Sequence, residues 1–255
     1  MKYIVLSFDD GAKDFYNRAL DILKKYNLTA VLNIISDKAN KNNNKFISWE
    51  EISECKMHGI EIANHSANHT NEVEDIIHGA KDIQTHLGVT EKIGFASPNS
   101  EVCEKNLDVY KDLLRSGQVL YIRSGNQLKR DGYFHAFLYL VYKYTSWKKI
   151  FYWYNKRNVI ELNKPNENII FPSVTCNNDN TMLQIIHLIE KMPDNSACII
   201  MLHQIFSKED EGYKTVKWSN TIEDFEFLCS YLSKSEKISV INHKKLYELT
   251  KNNIN

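Results

Sequence analysis

Short apolar, β-branched runs alternate along this chain with stretches whose apolar positions recur three and four residues apart. Tyr3–Phe8 reads as a strand and Asp14–Tyr26 as a helix. Ala30–Ile35 is the next strand and Trp49–His58 the next helix, with Gly59 as its stop signal. The alternation continues with a strand at Ile60–Asn64, a helical stretch from about Glu72 to Leu87, a strand at Ile93–Ala96, a helix near Lys105–Ser116 and a strand at Val119–Arg123. Later come Asn168–Ser173, a helix at Met182–Met192 and the strong strand Ala197–Leu202. A helix at Ile222–Ser233, a strand at Ile238–Ile241 and a helix at His243–Thr250 close the pattern. Repeated β-α units predict a parallel sheet with helices outside. So many units in one chain predict a barrel rather than an open sheet. No internal repeat and no clear linker is visible, so residues 1–255 read as one α/β domain.

One segment breaks the alternation. From Tyr133 to Tyr154 the chain is crowded with aromatics, and Phe137, Val141, Tyr144, Trp147, Phe151 and Tyr154 recur at helical spacing. Lys143, Lys148, Lys149, Lys156 and Arg157 make it basic. It is expected to be a helical insertion between barrel units, spanning residues 126–167. Its aromatic stripe either packs on the barrel or contacts a partner subunit or a membrane surface, since Tyr and Trp are apolar with one wet end.

Composition narrows the function. The 32 basic and 32 acidic residues cancel, so no global charge calls for nucleic acid as a partner. Met1 is followed by an apolar run too short for a secretory signal, and no run approaches the length of a membrane span. If Met1 is the natural start, the expected location is the cytoplasm. Cys55, Cys103, Cys176, Cys198 and Cys229 are scattered without a paired motif, as free buried thiols are, and cysteine-bound zinc is not expected.

Three strings carry candidate chemistry, each at the C-terminal end of an expected strand, where parallel barrels place their active sites. The first is Ser7-Phe8-Asp9-Asp10-Gly11. Side chains alternate along a strand, so the two carboxylates point different ways; one can hold a metal while the other faces substrate. Asp-Asp-Gly also makes a good turn. The second is Asn64-His65-Ser66-Ala67-Asn68-His69, whose histidines, four apart, would share one side of a helical turn and reach one ion, or are two unrelated surface histidines. The third is Cys198-Ile199-Ile200-Met201-Leu202-His203, a buried strand ending in a residue placed either as a general acid or as a hydrogen-bonded core histidine. His58, His78, His86, His187 and His243 show no ligand pattern.

Together and in this order the strings resemble those of the polysaccharide deacetylases, carbohydrate esterase family four, over roughly Tyr3 to Leu249 apart from the aromatic insertion. The resemblance implies a distorted (β/α) barrel of about seven parallel strands. It implies that Asp10, His65 and His69 hold a divalent metal, with Zn²⁺ expected and Co²⁺, Ni²⁺ or Fe²⁺ able to fit. It makes Asp9 the general base, His203 the acid that protonates the leaving amine, and Leu202 part of the pocket for the acetyl methyl. The family's next motif is Arg-x-Pro-aromatic. Here Phe95-Ala96-Ser97-Pro98-Asn99 keeps Pro98 but has Ala96 and Asn99 at the other two positions. Arg123, at the end of the next strand, is the candidate replacement for the arginine that orients the base; otherwise it is a surface arginine in a loop. Asp179 and Trp218 are candidates for the Asp and Trp that the family places before its final His motif.

The reading that follows is a hydrolase removing an acetyl group from an N-acetylated sugar: a sugar nucleotide, a lipid-linked precursor or a small glycoside. A catalytically silent carbohydrate-binding or scaffold protein of the same fold is the rival, favoured by the missing arginine. Against it stands the full set of Asp9, Asp10, His65, His69 and His203, because a binding module needs no base, ligands and acid together. Hydrolysis of a non-sugar amide is a third reading.

Overall fold

A computed structural model describes the chain apart from residues 42–43, 101, 103–105, 126–131, 146, 164–168 and 253–255. Its strands are β1 (Lys2–Phe8), β2 (Val31–Ile34), β3 (Glu61–Asn64), β4 (Phe95–Ala96), β5 (Ile122–Arg123), β6 (Ile160–Glu161), β7 (Ile170–Phe171), β8 (Val174–Thr175), β9 (Ser196–Leu202), β10 (Gln204–Phe206), β11 (Ser219–Thr221) and β12 (Ile238–Val240). The helices are α1 (Leu20–Lys25), α2 (Ser36–Asn40), α3 (Trp49–Met57), α4 (Val73–Leu87), α5 (Leu107–Arg115), α6 (Gly132–Tyr144), α7 (Lys148–Asn155), α8 (Met182–Lys191), α9 (Glu211–Thr215), α10 (Ile222–Lys234) and α11 (His243–Asn252).

The main sheet runs β9-β1-β2-β3-β4-β5-β7, all parallel. The segment from Ile170 to Thr175 nearly closes it: its first half pairs with β5 as β7, and its second half pairs with β9 as β8. The small strands β10 and β11, which hydrophobic patterning does not predict, form a separate parallel pair.

The alternation along β1 divides the core. Ile4, Leu6 and Phe8 join Leu32, Ile34, Cys198, Ile200 and Leu202 in a cluster that extends to α8 and α10 through Ile185, Ile189, Phe225 and Leu228. Val5, Val31, Ala63, Tyr121, Phe171, Ala197 and Ile199 form a second cluster, the barrel interior, which Ile241 and Leu246 enter from the end holding α11. Burial of each such side chain contributes roughly 1.5–3 kcal/mol. Along the inward row of β1, apolar Val5 gives way to buried Ser7 and then Asp9, so the barrel becomes polar toward the C-terminal ends of its strands.

Helix starts follow local chemistry. Ser48 and Glu51 close a capping box on α3, and Thr181 and Gln184 do so on α8. Gly88, in the left-handed region, ends α4. One expectation needs correction. The histidines 65 and 69 do not lie on a helical turn: His65 to Thr70 is a loop, and Ser66 and His69 take positive φ of 62° and 66°. The aromatic segment forms two helices, α6 and α7, because extended Trp147 interrupts it; residues 126–131, 146 and 164–168 of the expected insertion lie outside the described residues. Cys55, Cys176, Cys198 and Cys229 are free and buried, and Cys103 is outside the described residues. Among the described residues no helix is long and apolar enough to cross a membrane.

Candidate active site

The site grows from the end of β1. Asp9 keeps the strand's alternation and points into the barrel mouth, where it is buried. Asp10 turns away because its backbone enters the left-handed region at φ 72°, followed by Gly11 at 65°. A non-glycine residue held there stores of order 1–3 kcal/mol of strain, which a functional constraint commonly maintains. Gly11 itself is demanded by space, since a Cβ would come within 2.8 Å of Ile34 Cγ2.

Three hydrogen bonds from two side chains fix Asp9. Asn33 Nδ2 donates to Oδ1 at 2.8 Å, and Arg123 Nη2 donates to Oδ1 at 2.5 Å and Oδ2 at 2.6 Å. Asn33 also donates to Ser7 Oγ and the Phe8 carbonyl, tying β2 to the end of β1. Burial alone would raise the Asp9 pKa, but the Arg123 guanidinium and the nearby histidines hold it below the ordinary carboxylate value. Oδ2 is the oxygen that faces the histidine tips, with His203 Nε2 at 3.9 Å and His65 Nε2 at 4.0 Å.

Arg123 is fully buried. In the parallel register of β4 and β5 its neighbour is Ala96. The small side chain at 96 leaves the volume beside Asp9 to an arginine arriving from the next strand. The surface-loop alternative for Arg123 is thereby ruled out as a matter of position.

The histidine loop is tied down on three sides. The amide N–H groups of Ser36 and Asp37, opening α2, donate to the carbonyls of Ser66 and Ala67. Asp75, in the first turn of α4, accepts from the backbone N–H of Asn68 and Thr70 and from the Thr70 hydroxyl. Gly79 brings α4 against the loop: a Cβ there would lie 2.4 Å from Asn64 Oδ1 and 2.7 Å from the Ser66 carbonyl carbon. His65 Nδ1 lies 2.8 Å from the Ala96 carbonyl, which accepts its proton and leaves Nε2 as the lone-pair nitrogen facing the site.

Asp10, His65 and His69 converge. Asp10 Oδ1 lies 3.4 Å from Nε2 of each histidine, and one ligand atom from each of the three residues lies within 4.8 Å of the others. Metal–ligand bonds of about 2.0–2.1 Å in a tetrahedron put neighbouring ligand atoms roughly 3.3–3.4 Å apart. The donor set and its spacing therefore fit a small divalent cation. Burial raises the Asp10 pKa, yet the neighbouring imidazoles of His65, His203 and His69 bring it down to about 2. His69 is lowered by burial and by neighbouring His65, which favours the neutral imidazole, the form able to hold a metal.

His203 follows β9 and is lowered by burial against the opposing pull of Asp9 and Asp10. Its Nδ1 is buried without a hydrogen-bond partner among the described residues. Asp179 does not supply that partner; it pairs with Lys217 at 3.0 Å near the surface. Trp218 is 44% exposed, its ring 5.2 Å from that of His203, at the rim. Leu202 is fully buried in the helix-facing cluster, and Pro98 is buried with its carbonyl accepting from Asn71. Asn33, Asp75 and Gly79 escape motif reading. The one signal for Asn33 is a polar residue inside an apolar four-residue strand.

Residues 1–120 match the polysaccharide deacetylase family. That stretch contains Asp9, Asp10, His65 and His69 and stops before Arg123 and His203. YxkH of Bacillus subtilis (strain 168), a candidate polysaccharide deacetylase, is 32% identical over 68 residues, covering 27% of this chain and 24% of that protein. The match thus spans about a quarter of the curated relative's length. A candidate polysaccharide deacetylase from Mycobacterium smegmatis superposes with a TM-score of 0.61 at 14% identity, covering 98% of this chain and 90% of that one. A family 4 acetyl xylan esterase from Clostridium thermocellum, in complex with a cobalt ion, gives 0.53 at 19% identity over 97% and 91% of the two chains. At these identities the likeness is one of fold: the chain has the (β/α) barrel fold of these structures, as the alternation and the motifs led us to expect. The resemblance to the polysaccharide deacetylases is borne out.

Proposed function

We propose that this protein is a metal-dependent deacetylase that removes an acetyl group from an N-acetylated sugar. The observation that carries the reading is the convergence of Asp10, His65 and His69 beside an Asp9 held by Arg123 and faced by His203. Asp10, His65 and His69 would hold the cation, Zn²⁺ or a similar ion such as Co²⁺. Such an ion polarises the acyl oxygen and lowers the pKa of water in the site. Asp9 is the base: two donors tie Oδ1, while Oδ2 keeps a lone pair toward the histidine tips and accepts the proton of the attacking water. Arg123 positions this carboxylate and keeps it ionised. His203 Nε2 gives a proton to the nitrogen of the breaking amide bond, releasing a sugar amine and acetate. Trp218, at the rim beside His203, offers a ring on which a sugar face can rest.

The substrate class comes from the polysaccharide deacetylase match, while the acid and base serve N-acetyl and O-acetyl groups alike. A silent binding protein would have no use for an ionised base with donors on both oxygens. The deciding experiment is acetate release from a panel of N-acetylated sugars, sugar nucleotides and an O-acetylated xylo-oligosaccharide, after chelation and after adding back Zn²⁺ or Co²⁺. Release from an N-acetylated sugar that returns with metal is expected. Release from the xylo-oligosaccharide alone would make the protein an esterase, and no release with any metal would leave the silent reading.

A further inference from the structure

The helical pair α6–α7 has no place in the proposed chemistry, yet its composition and exposure are unusual together. Between Gly132 and Ile160 the sequence holds Lys143, Lys148, Lys149, Lys156 and Arg157 and no acidic residue. The same stretch exposes large apolar side chains: Tyr133 at 98%, Phe134 at 67%, Phe137 at 58% and Trp147 at 65%, with Leu140 and Trp153 about half exposed. Soluble proteins scatter such residues singly, whereas these follow one another along a single element. The pair is nevertheless anchored. Phe151 of α7 is buried in the core shared with α8, Tyr152 packs edge-on to His187, and Leu138 of α6 is buried. Lys156 Nζ sits 3.8 Å from the centre of the Trp153 ring, a cation and an aromatic presented together at the surface.

We propose that α6 and α7 form a docking element for an anionic lipid bilayer. The charge decides the occupant. A second copy of this chain, docking face to face about a two-fold axis, would set one basic segment against the other. An anionic membrane surface attracts each lysine and accepts Tyr, Trp, Phe and Leu at the headgroup level. The thirteen residues of α6 span ~20 Å, short of the ~30 Å hydrocarbon core, so the helix lies along the surface rather than across it. The element follows β5 beyond Arg123, from the end of the barrel where Asp9 and the histidines sit. These observations are independent of the reaction, so the docking stands or falls apart from the deacetylase reading.

The test is co-sedimentation of the full chain with vesicles of phosphatidylcholine alone and of phosphatidylcholine with phosphatidylglycerol, at low and high salt. Binding to the phosphatidylglycerol vesicles only, weakened by salt, is expected. Phe134→Ser with Phe137→Ser and Trp147→Ser in one variant should lower the bound fraction about tenfold or more. Lys148→Glu with Lys149→Glu should do the same, and since both lysines are exposed, that variant keeps its thermal midpoint. No co-sedimentation with phosphatidylglycerol vesicles would overturn the proposal. So would equal binding by the charge-reversed variant, or a doubled mass in solution without vesicles that the aromatic variant abolishes, which would make the occupant a second copy.

Discussion

Asp9 and Asp10 are neighbours in sequence, but a left-handed turn at Asp10 sends their side chains into different company. Asp9 has donors on both oxygens from Arg123 and Asn33, while Asp10 has two imidazole nitrogens at 3.4 Å. The same substitution should therefore have different consequences at the two positions. Asp9→Asn keeps the proposed ligand set and removes the proposed proton acceptor, so bound metal should stay near one equivalent while acetate release falls by ~10²–10⁴. Asp10→Asn should lower metal occupancy itself, and His65→Ala should lose both metal and activity. Metal content measured beside turnover in all three variants decides the matter, and equal metal loss at positions 9 and 10 would refute the separation of roles.

At the scale of elements, the site depends on which strand delivers a side chain to a given volume. Arg123 stands beside Ala96 in the register of β4 and β5, and its guanidinium reaches the carboxylate of Asp9. Arg123→Ala should cut turnover and leave an uncompensated buried carboxylate, costing about 3–5 kcal/mol in stability. Adding Ala96→Arg to that variant should restore part of the turnover, because the neighbouring strand then delivers the charge; a double variant no better than Arg123→Ala would show that the two positions are not interchangeable. The helix α4 tests the support of the metal loop in the same way. Gly79→Ala puts a methyl group into the backbone of Ser66 and Ala67, so the loop must move, and metal affinity should fall with ~1–3 kcal/mol of stability. Unchanged affinity would mean that the loop keeps its place without α4. These elements also mark how far the sequence could be read. The β-α alternation and the three motifs were legible because periodicity and ligand chemistry are local. The route that brings His65 and His69 together was not: a loop with positive φ at Ser66 and His69 is set by α2, Asp75 and Gly79. Nor can a motif show that Arg123 has Ala96 as its neighbour, since register is a property of the folded sheet. Asn33 was missed for the same reason, because its partners Ser7, Phe8 and Asp9 lie on another strand.

Across the whole barrel, polar groups lie at both ends with apolar layers between them. One end holds the Asp9 cluster. At the other, α11 closes the barrel, where Glu61 accepts from the Tyr121 hydroxyl and from the Lys244 amide. His243 lies there fully buried, its ring edge-on to Tyr121 at 5.0 Å and neither nitrogen hydrogen-bonded among the described residues. Burial foremost, with the Arg123 charge adding to it, lowers its pKa from the ordinary 6.5 to about 3. Its folded value is depressed, so the neutral imidazole favours folding above pH 6.5, and that contribution is lost as pH falls toward 3 because the unfolded chain takes up the proton first. One such group changes stability by about 1.4 kcal/mol per pH unit within that window. Glu61, raised by burial, works in the opposite sense, favouring folding at low pH and less so as pH rises. Comparing wild type with a single variant removes the Glu61 contribution to first order. His243→Phe keeps a ring against Tyr121 and cannot titrate. Its unfolding free energy, measured in urea between pH 4 and 7, should fall less steeply toward acid than that of the wild type, by roughly one proton's worth of slope. Parallel pH dependences for the two proteins would mean that His243 takes up its proton in the folded state as readily as in the unfolded one, and that the closed end of the barrel is wetter than its packing implies.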